Sequence, residues 1–297
     1  SNLLFKAPKP QSVGIEYMWQ NIGTMRNTGL EVMLGFDIFK KSDFRWSLDL
    51  NATFFRNKIT KMPKDSDGNP QEIINGTKKL SEGHSIYEFW LREYAGVDPE
   101  DGSALYYKDI EDGNGNVTGR ETTKDQNAAG YYYMGDAIPD LYGGFTNSFS
   151  YKGFDLSVFF SYQIGGKMYD SNYASLMHPG SFGTHWSADI KNRWQKPGDI
   201  TDVPRLQNSY PAANAASSRW LVNASYLALK NVTLSYTLPK PIQNKLDMKG
   251  CKVFLTGDNL FLLCKRKGMD PQQSFNGTSD YTYVPNRVVS LGINVTF

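Results

Sequence analysis

Few side chains of this 297-residue chain stand at spacings that could carry covalent chemistry. The three histidines, His84, His178 and His185, fall in or beside segments that read as loops. No His-Glu-x-x-His, Gly-x-Ser-x-Gly or cysteine–histidine arrangement accompanies them. Carboxylates are plentiful, and a pair for glycoside hydrolysis needs only two at the right separation, so that chemistry stays open at this level. With no catalytic motif, the chain reads as a non-enzyme without cofactor or metal. Asp109-Ile110-Glu111-Asp112-Gly113-Asn114-Gly115-Asn116 resembles half a calcium loop, with alternate oxygen ligands and a glycine for the bend. Its register is imperfect, and Arg120 stands at the twelfth position where calcium asks for Glu. A solvated Gly/Asn turn accounts for the same residues. Aromatic rings offer more. Tyr131, Tyr132, Tyr133, Trp186, Trp194 and Trp220 lie in segments that read as loops or their borders. Exposed rings stack on sugars or peptide side chains, and they also anchor at a bilayer interface. Tyr131, Tyr132, Tyr133 and Trp186 lie far from predicted strand ends, which favours contact with a substrate or partner. Trp194 suits substrate contact or packing of its loop.

The elements that would position these rings are strands. Arg287 to Phe297 reads R-V-V-S-L-G-I-N-V-T-F. Val289, Leu291, Ile293, Val295 and Phe297 fall on one face, and mostly small or polar residues fall on the other. The same alternation recurs in Leu30–Ile38, Phe44–Phe54, Phe154–Tyr162 and Val232–Leu238. It predicts nine strands, at 24–39, 43–60, 84–97, 103–110, 139–151, 154–169, 220–238, 250–262 and 287–297, with 1–5 as the tail of a tenth. Several exceed the five or six residues usual in soluble proteins. A tilted strand of about nine to eleven residues spans a bilayer.

Composition agrees with a membrane barrel. Aromatics make up 14% of the residues and mean hydropathy is −0.49. No apolar run is long enough for a membrane helix, but barrel strands alternate and stay low in average hydropathy. A net charge of +2 gives no reason to expect nucleic acid. Cys251 and Cys264 flank one predicted strand, about 40 Å apart at 3.3 Å per residue, so they read as free thiols. Connections alternate in length: Lys40–Ser42, Asp98–Gly102 and Lys152–Gly153 are tight, whereas 61–83, 111–138, 170–219 and 263–286 are long. Short periplasmic turns and long extracellular loops give that parity in outer-membrane barrels. Segment 239–249 is an overlong inner turn, and Lys230 sits on the apolar face of its strand. The alternative is a secreted soluble β-sandwich, a lectin-like carbohydrate-binding module, which also alternates.

Several motifs resemble the SusC/RagA family of TonB-dependent outer-membrane transporters. They are Asn27-Thr28-Gly29-Leu30-Glu31; Phe44-Arg45-Trp46 with Asn51 and Asn57-Lys58-Ile59; and Gly135-Asp136-Ala137-Ile138-Pro139 with Gly143-Gly144-Phe145-Thr146-Asn147. Arg193-Trp194-Gln195-Lys196-Pro197-Gly198-Asp199, Asp202-Val203-Pro204-Arg205, Ala224 to Pro239, Gly257-Asp258-Asn259-Leu260 and Gly268-Met269-Asp270-Pro271 continue the series in the family's order. The chain departs from the family at Ala228, where Arg is common, and at Cys264, where Thr or Ser is usual. The resemblance implies an all-β fold: a transmembrane antiparallel barrel of about twenty-two strands around a plug. Residues 1–297 would supply about the last nine strands, with plug and N-terminal domains outside this chain. It implies import of oligosaccharides or peptides across the outer membrane of a Gram-negative bacterium. It further implies a SusD-like surface lipoprotein as partner and the TonB complex acting through the missing plug. Phe297 resembles the family's terminal aromatic barrel-assembly signal. Glu31, Asp37, Arg45, Asp49, Asn51, Asp155, Gln163 and Asn231 would face the lumen or the plug.

Overall fold

The computed structural model describes residues 2–8, 11–41, 43–64 and 67–297. The chain opens with β1 (Asn2–Pro8), β2 (Tyr17–Lys41) and β3 (Phe44–Lys61). A long insertion then carries β4 (Ile73–Asn75), β5 (Lys78–Leu80), β6 (Glu88–Arg92), β7 (Tyr94–Val97), β8 (Ala104–Glu111), β9 (Val117–Thr123) and β10 (Tyr131–Asp136). β11 (Leu141–Tyr151) and β12 (Phe154–Ile164) follow, then a second insertion with β13 (Lys167–Tyr169), α1 (Ser171–Leu176) and β14 (Leu221–Asn223). β15 (Tyr226–Thr237), α2 (Lys240–Lys245), β16 (Gly250–Cys264) and β17 (Val288–Thr296) complete the chain.

Eight strands form one antiparallel sheet in the order β1-β2-β3-β11-β12-β15-β16-β17. Pairing register aligns side chains of like character across it. Leu34, Leu50, Phe145, Phe160, Leu229 and Phe261 form one row. Asp37, Ser47, Ser148, Ser157, Thr233, Thr256 and Ser290 form another, on the opposite face. A one-residue slip in any strand would move its apolar set into the polar row, so the alternation itself pins the register. Within this chain the apolar face is uncovered: Leu291 is 77% exposed and Ile293 63%. A sandwich would place a second sheet against that face, and among the described residues none does. So large an apolar surface is what a bilayer covers. Phe39, Trp46 and Phe149 stack at the short-turn end of this face, with centroids 6.0 and 5.6 Å apart. That is where an aromatic girdle belongs.

Among the described residues the wall therefore holds eight strands, the stub among them, rather than nine and a stub. Segments 84–97 and 103–110 leave it for the first insertion. There β6 pairs with β10, and β7, β8 and β9 form a separate three-stranded sheet. Asp98–Gly102 is thus a turn among the outer loops. Removing two strands leaves the parity of all other connections unchanged. Residues 154–169 split into β12 and β13, and 220–238 into β14 and β15, because β13 and β14 pair with each other beyond the wall. The stub is β1, which covers the edge of β2 only from Tyr17 to Thr24. The overlong turn 239–249 contains α2. Lys230 does not sit on the apolar face. It is the extra residue where Leu229 pairs with Phe160 and Asn231 with Phe159. That β-bulge resets the alternation, so that Leu229 and Asn231 point to opposite faces. The hairpin of β11 and β12 turns on Lys152 and Gly153, at φ 46° and 89°. Two left-handed residues match the strand twist, and glycine takes the second without strain.

The interior of the chain lies in the insertions. Phe89, Leu91, Tyr169, Met177 and Trp220 form one buried cluster, and Ala104, Tyr106, Ala129 and Ala212 another. Wall faces meet lipid and lumen, whereas loops in water need a core of their own.

Candidate ligand-contact surface on the outer loops

β6 reads Glu-Phe-Trp-Leu-Arg, and its alternation divides core from surface. Phe89 and Leu91 are fully buried, while Trp90 and Arg92 point the other way. β10 pairs Tyr133 with Trp90, Tyr132 with Leu91 and Tyr131 with Arg92. Tyr131 and Tyr133 therefore share the face of Trp90, and Tyr132 turns to the opposite side. The result is an aromatic shelf. Trp90 meets Tyr133 edge-on at 4.7 Å and lies near-parallel to Tyr131 at 6.3 Å. Tyr133 stacks on His84 at 3.6 Å. The Lys79 ammonium is 4.1 Å from the Trp90 centroid, and the Arg92 guanidinium 4.6 Å from Tyr131. Such cation–π and edge contacts hold each ring in one orientation. The ion pair Lys79–Glu72 at 2.7 Å and the hydrogen bond between His84 Nδ1 and Glu88 at 2.8 Å brace the rim. Rigid rings with accessible edges suit sugar faces and flat side chains, at little entropic cost on binding.

Below the shelf, Lys78 places its ammonium 3.3 Å from the Phe89 centroid and donates to the Tyr87 carbonyl. Burial pulls this lysine down to about 7, against Asp136 and Glu88, which favour its charge.

The other aromatic candidates have different surroundings. Tyr132 donates to Asp109 Oδ1 at 2.7 Å, and the Arg120 guanidinium lies between the Tyr132 and Tyr107 rings at 4.5 and 4.6 Å. Burial, followed by the bond to Asp109, holds its hydroxyl above the usual tyrosine range. Trp186 stacks on His178 at 5.0 Å, donates to its carbonyl and is 43% exposed. Trp194 donates to the Pro99 carbonyl at 3.0 Å and presses on Gly102, where a Cβ would come within 2.5 Å of the ring. It ties the β7–β8 turn to the second insertion. Among the described residues neither Trp186 nor Trp194 makes ring contact with the three tyrosines. Trp220 is not a surface ring; it is fully buried and donates to the Ala215 carbonyl. Trp90, His84 and Arg92 escape the sequence reading as shelf residues because 84–97 passes there for wall, and Lys79 because a lone lysine in the 61–83 loop carries no signal of its own. The change of sheet falls at Glu93, between β6 and β7, and no glycine or proline marks it.

In the 109–116 turn, Asp112 accepts from the amides of Asn114 and Asn116 and from the Asn116 side chain. With Asp109 engaged by Tyr132, those oxygens serve the hairpin. Among the described residues no three His, Cys, Asp or Glu side chains converge on a metal site. On the wall, all eight residues expected to point inward share the polar face by register. Asp155 pairs with Lys252 at 3.2 Å and Asn231 donates to Asp258 at 2.7 Å. Cys251 and Cys264 are both free. Phe297 is 74% exposed just beyond β17, and its carbonyl accepts from Lys249.

No family model matches the chain. A TonB-dependent receptor of Formosa agariphila is 30% identical over the whole chain, which spans 31% of that relative. The TonB-dependent receptor SusC of Bacteroides thetaiotaomicron is 28% identical over 94% of the chain and 27% of its own length. A solved structure of the RagAB peptide transporter superposes on 99% of the chain with a TM-score of 0.84 and 28% identity, covering 32% of the solved chain. The chain thus spans about a third of the length of the relatives it matches.

Proposed function

Because the chain belongs to the SusC/RagA family of TonB-dependent outer-membrane transporters, we propose that it forms wall and outer loops of an importer for oligosaccharides or peptides. Residues 1–297 supply the C-terminal portion of the barrel domain, and a plug outside this chain closes the lumen. TonB acts on that plug, and a SusD-like surface lipoprotein works with the loops as a lid. Phe297 serves as the terminal signal for barrel assembly. Peptide transport is attributed to the RagAB relative by description; here both cargo classes suit the loop rings.

The observation that carries this reading is the pair of registered rows, one apolar and one polar, running the width of the sheet. Lipid on one side and a water-filled or plugged lumen on the other satisfy both. The aromatic shelf supplies cargo contact. Replacing Trp90 and Tyr131 together by Ala in the full-length transporter should lower cargo uptake about tenfold, since central aromatic anchors carry most contact energy. Surface level is measured in parallel by immunolabelling. Unchanged uptake at normal surface level would remove the shelf from the cargo path.

A further inference from the structure

A cavity of about 460 Å3 lies where β16 outruns β17. β17 pairs with β16 only as far as Asp258, so the edge from Asn259 to Cys264 faces the returning segment 284–287. Two irregularities build the cavity. Lys230 is bulged out of β15, and opposite it β16 advances three residues, from Phe261 to Asp258, while β15 advances two. Asn259 there adopts φ 51°, a left-handed conformation unusual for a side-chain-bearing residue. Its side chain bridges the gap, accepting from Lys230 at 3.4 Å and donating to the Asn286 carbonyl at 3.2 Å. Bulges re-aim side chains, and strained backbone concentrates at working sites.

What is re-aimed is positive charge. Lys230, Lys267 and Arg287 line this one cavity, and among the described residues none of the three has an ion-pair partner. The lining holds one acid, Asp270, whose Oδ1 accepts from the Gln272 amide at 3.0 Å and from the Gln272 side chain at 2.9 Å, so the cations outnumber the carboxylate three to one. Ala228 and Leu262 face each other across the floor and share the polar face of the wall with Asn51 through Gly144 and Ser161. Phe261 and Leu263 add lining from the apolar face, so the cavity sits at the free edge of β16 near the outer end of the barrel, with its floor on the lumen side. Three cations without ion-pair partners on one lining, set against a single carboxylate and backed by leucines, form a sink for an anion.

We propose that this cavity is a subsite for a carboxylate group of the incoming cargo, held by Lys230, Lys267 and Arg287. The assignment rests on the import reading and adds to it the charge of the cargo. Calorimetry on the detergent-solubilised full-length transporter tests it, with tetragalacturonate, tetraglutamate and neutral maltotetraose as probes. Binding of a carboxylate probe should weaken about tenfold in Lys230→Gln/Arg287→Gln, the loss expected for charge-assisted bonds. It should weaken also in Lys267→Gln, which leaves the wall untouched, and it should fall with added salt. A response to tetragalacturonate alone marks a sugar acid, and to tetraglutamate alone a peptide. If neither carboxylate probe binds, or if binding survives the double variant in a protein that keeps its heat-modifiable barrel mobility, the subsite is refuted. Uptake separates the two levels: import that persists while the subsite fails leaves the transporter reading intact. Carboxylate binding without uptake of any probe overturns import and leaves the subsite.

Discussion

Lys78 is held under the shelf between an aromatic ring and a backbone carbonyl, and its ordinary value of 10.5 falls there to about 7. Between those two values the unfolded chain binds a proton that the folded chain does not. Stability of the loop sheet therefore rises with pH from about 7 to about 10.5. Below about 7 both states are protonated and the burial penalty is present in full. Lys78→Met removes the titration and keeps much of the packing volume. At pH 7 the variant should be more stable than the parent by roughly 1–3 kcal/mol, below the full value of the shift because the ammonium keeps some solvent. The gap should close by pH 10. Thermal unfolding of the loops in the full-length protein, followed by tryptophan emission at several pH values, reads it out. Parallel curves for parent and variant would show that Lys78 is solvated and ordinary.

Strands carry the next level, and Ile293 and Asn294 of β17 separate its two faces. Ile293 pairs with Val253 in the apolar row, and Asn294 with Lys252 in the polar one. Arginine at Ile293 should cost roughly 2–4 kcal/mol near mid-bilayer, and at Asn294 close to nothing. Equal tolerance of both in a vesicle-folding titration would contradict the face assignment. The same alternation explains what was legible in the sequence. Wall strands could be read because lipid and lumen impose a strict period of two over nine or more residues. Segments 84–97 and 103–110 carry that period for another reason: β6 and β8 lay one face on a loop core. Periodicity reports that one face is buried, not whether lipid or protein buries it. The Lys230 bulge was illegible for a related cause. An extra residue is defined by its neighbours' pairing, and no property of lysine announces it. Of the candidate contacts, Tyr131 and Tyr133 were legible as loop aromatics. Their anchor Trp90 was hidden in a segment whose pairing only the fold reveals.

At the scale of the molecule, the wall and the outer layer obey different solvents, and the outer layer is built from three insertions that touch one another: the first at 62–140, the second at 165–225 and a third at 265–287, between β16 and β17. The Tyr169 amide donates to the Gly277 carbonyl at 2.6 Å, and the Ser279 amide donates to the Tyr169 carbonyl at 2.9 Å. The backbones of Arg92 and Ser217 form an isolated parallel β-bridge, and the Tyr94 amide donates to the Ser218 hydroxyl. Gly277, at φ 75°, fits where any Cβ would strike Ala137, so the third insertion seats directly on the first. The latch is Arg266 with Asp170, 3.2 Å apart, with the carboxylate side chain only 6% exposed. Asp170 also caps α1 through the Tyr173 amide, while Arg266 lies 3.9 Å over the Tyr173 ring. Removing the cation by Arg266→Ala strands a buried carboxylate. The cost should be about 3 kcal/mol, at the low end for buried pairs because Arg266 keeps 26% of its side chain in solvent. If the layer is cooperative, hydrogen exchange should quicken together at Tyr169, Ser279 and Phe89, which lie in three different insertions, while the paired amides of β12 and β15 hold. Faster exchange confined to residues 265–287 would show instead that each loop opens alone, and the outer layer would then be three independent flaps on a shared wall.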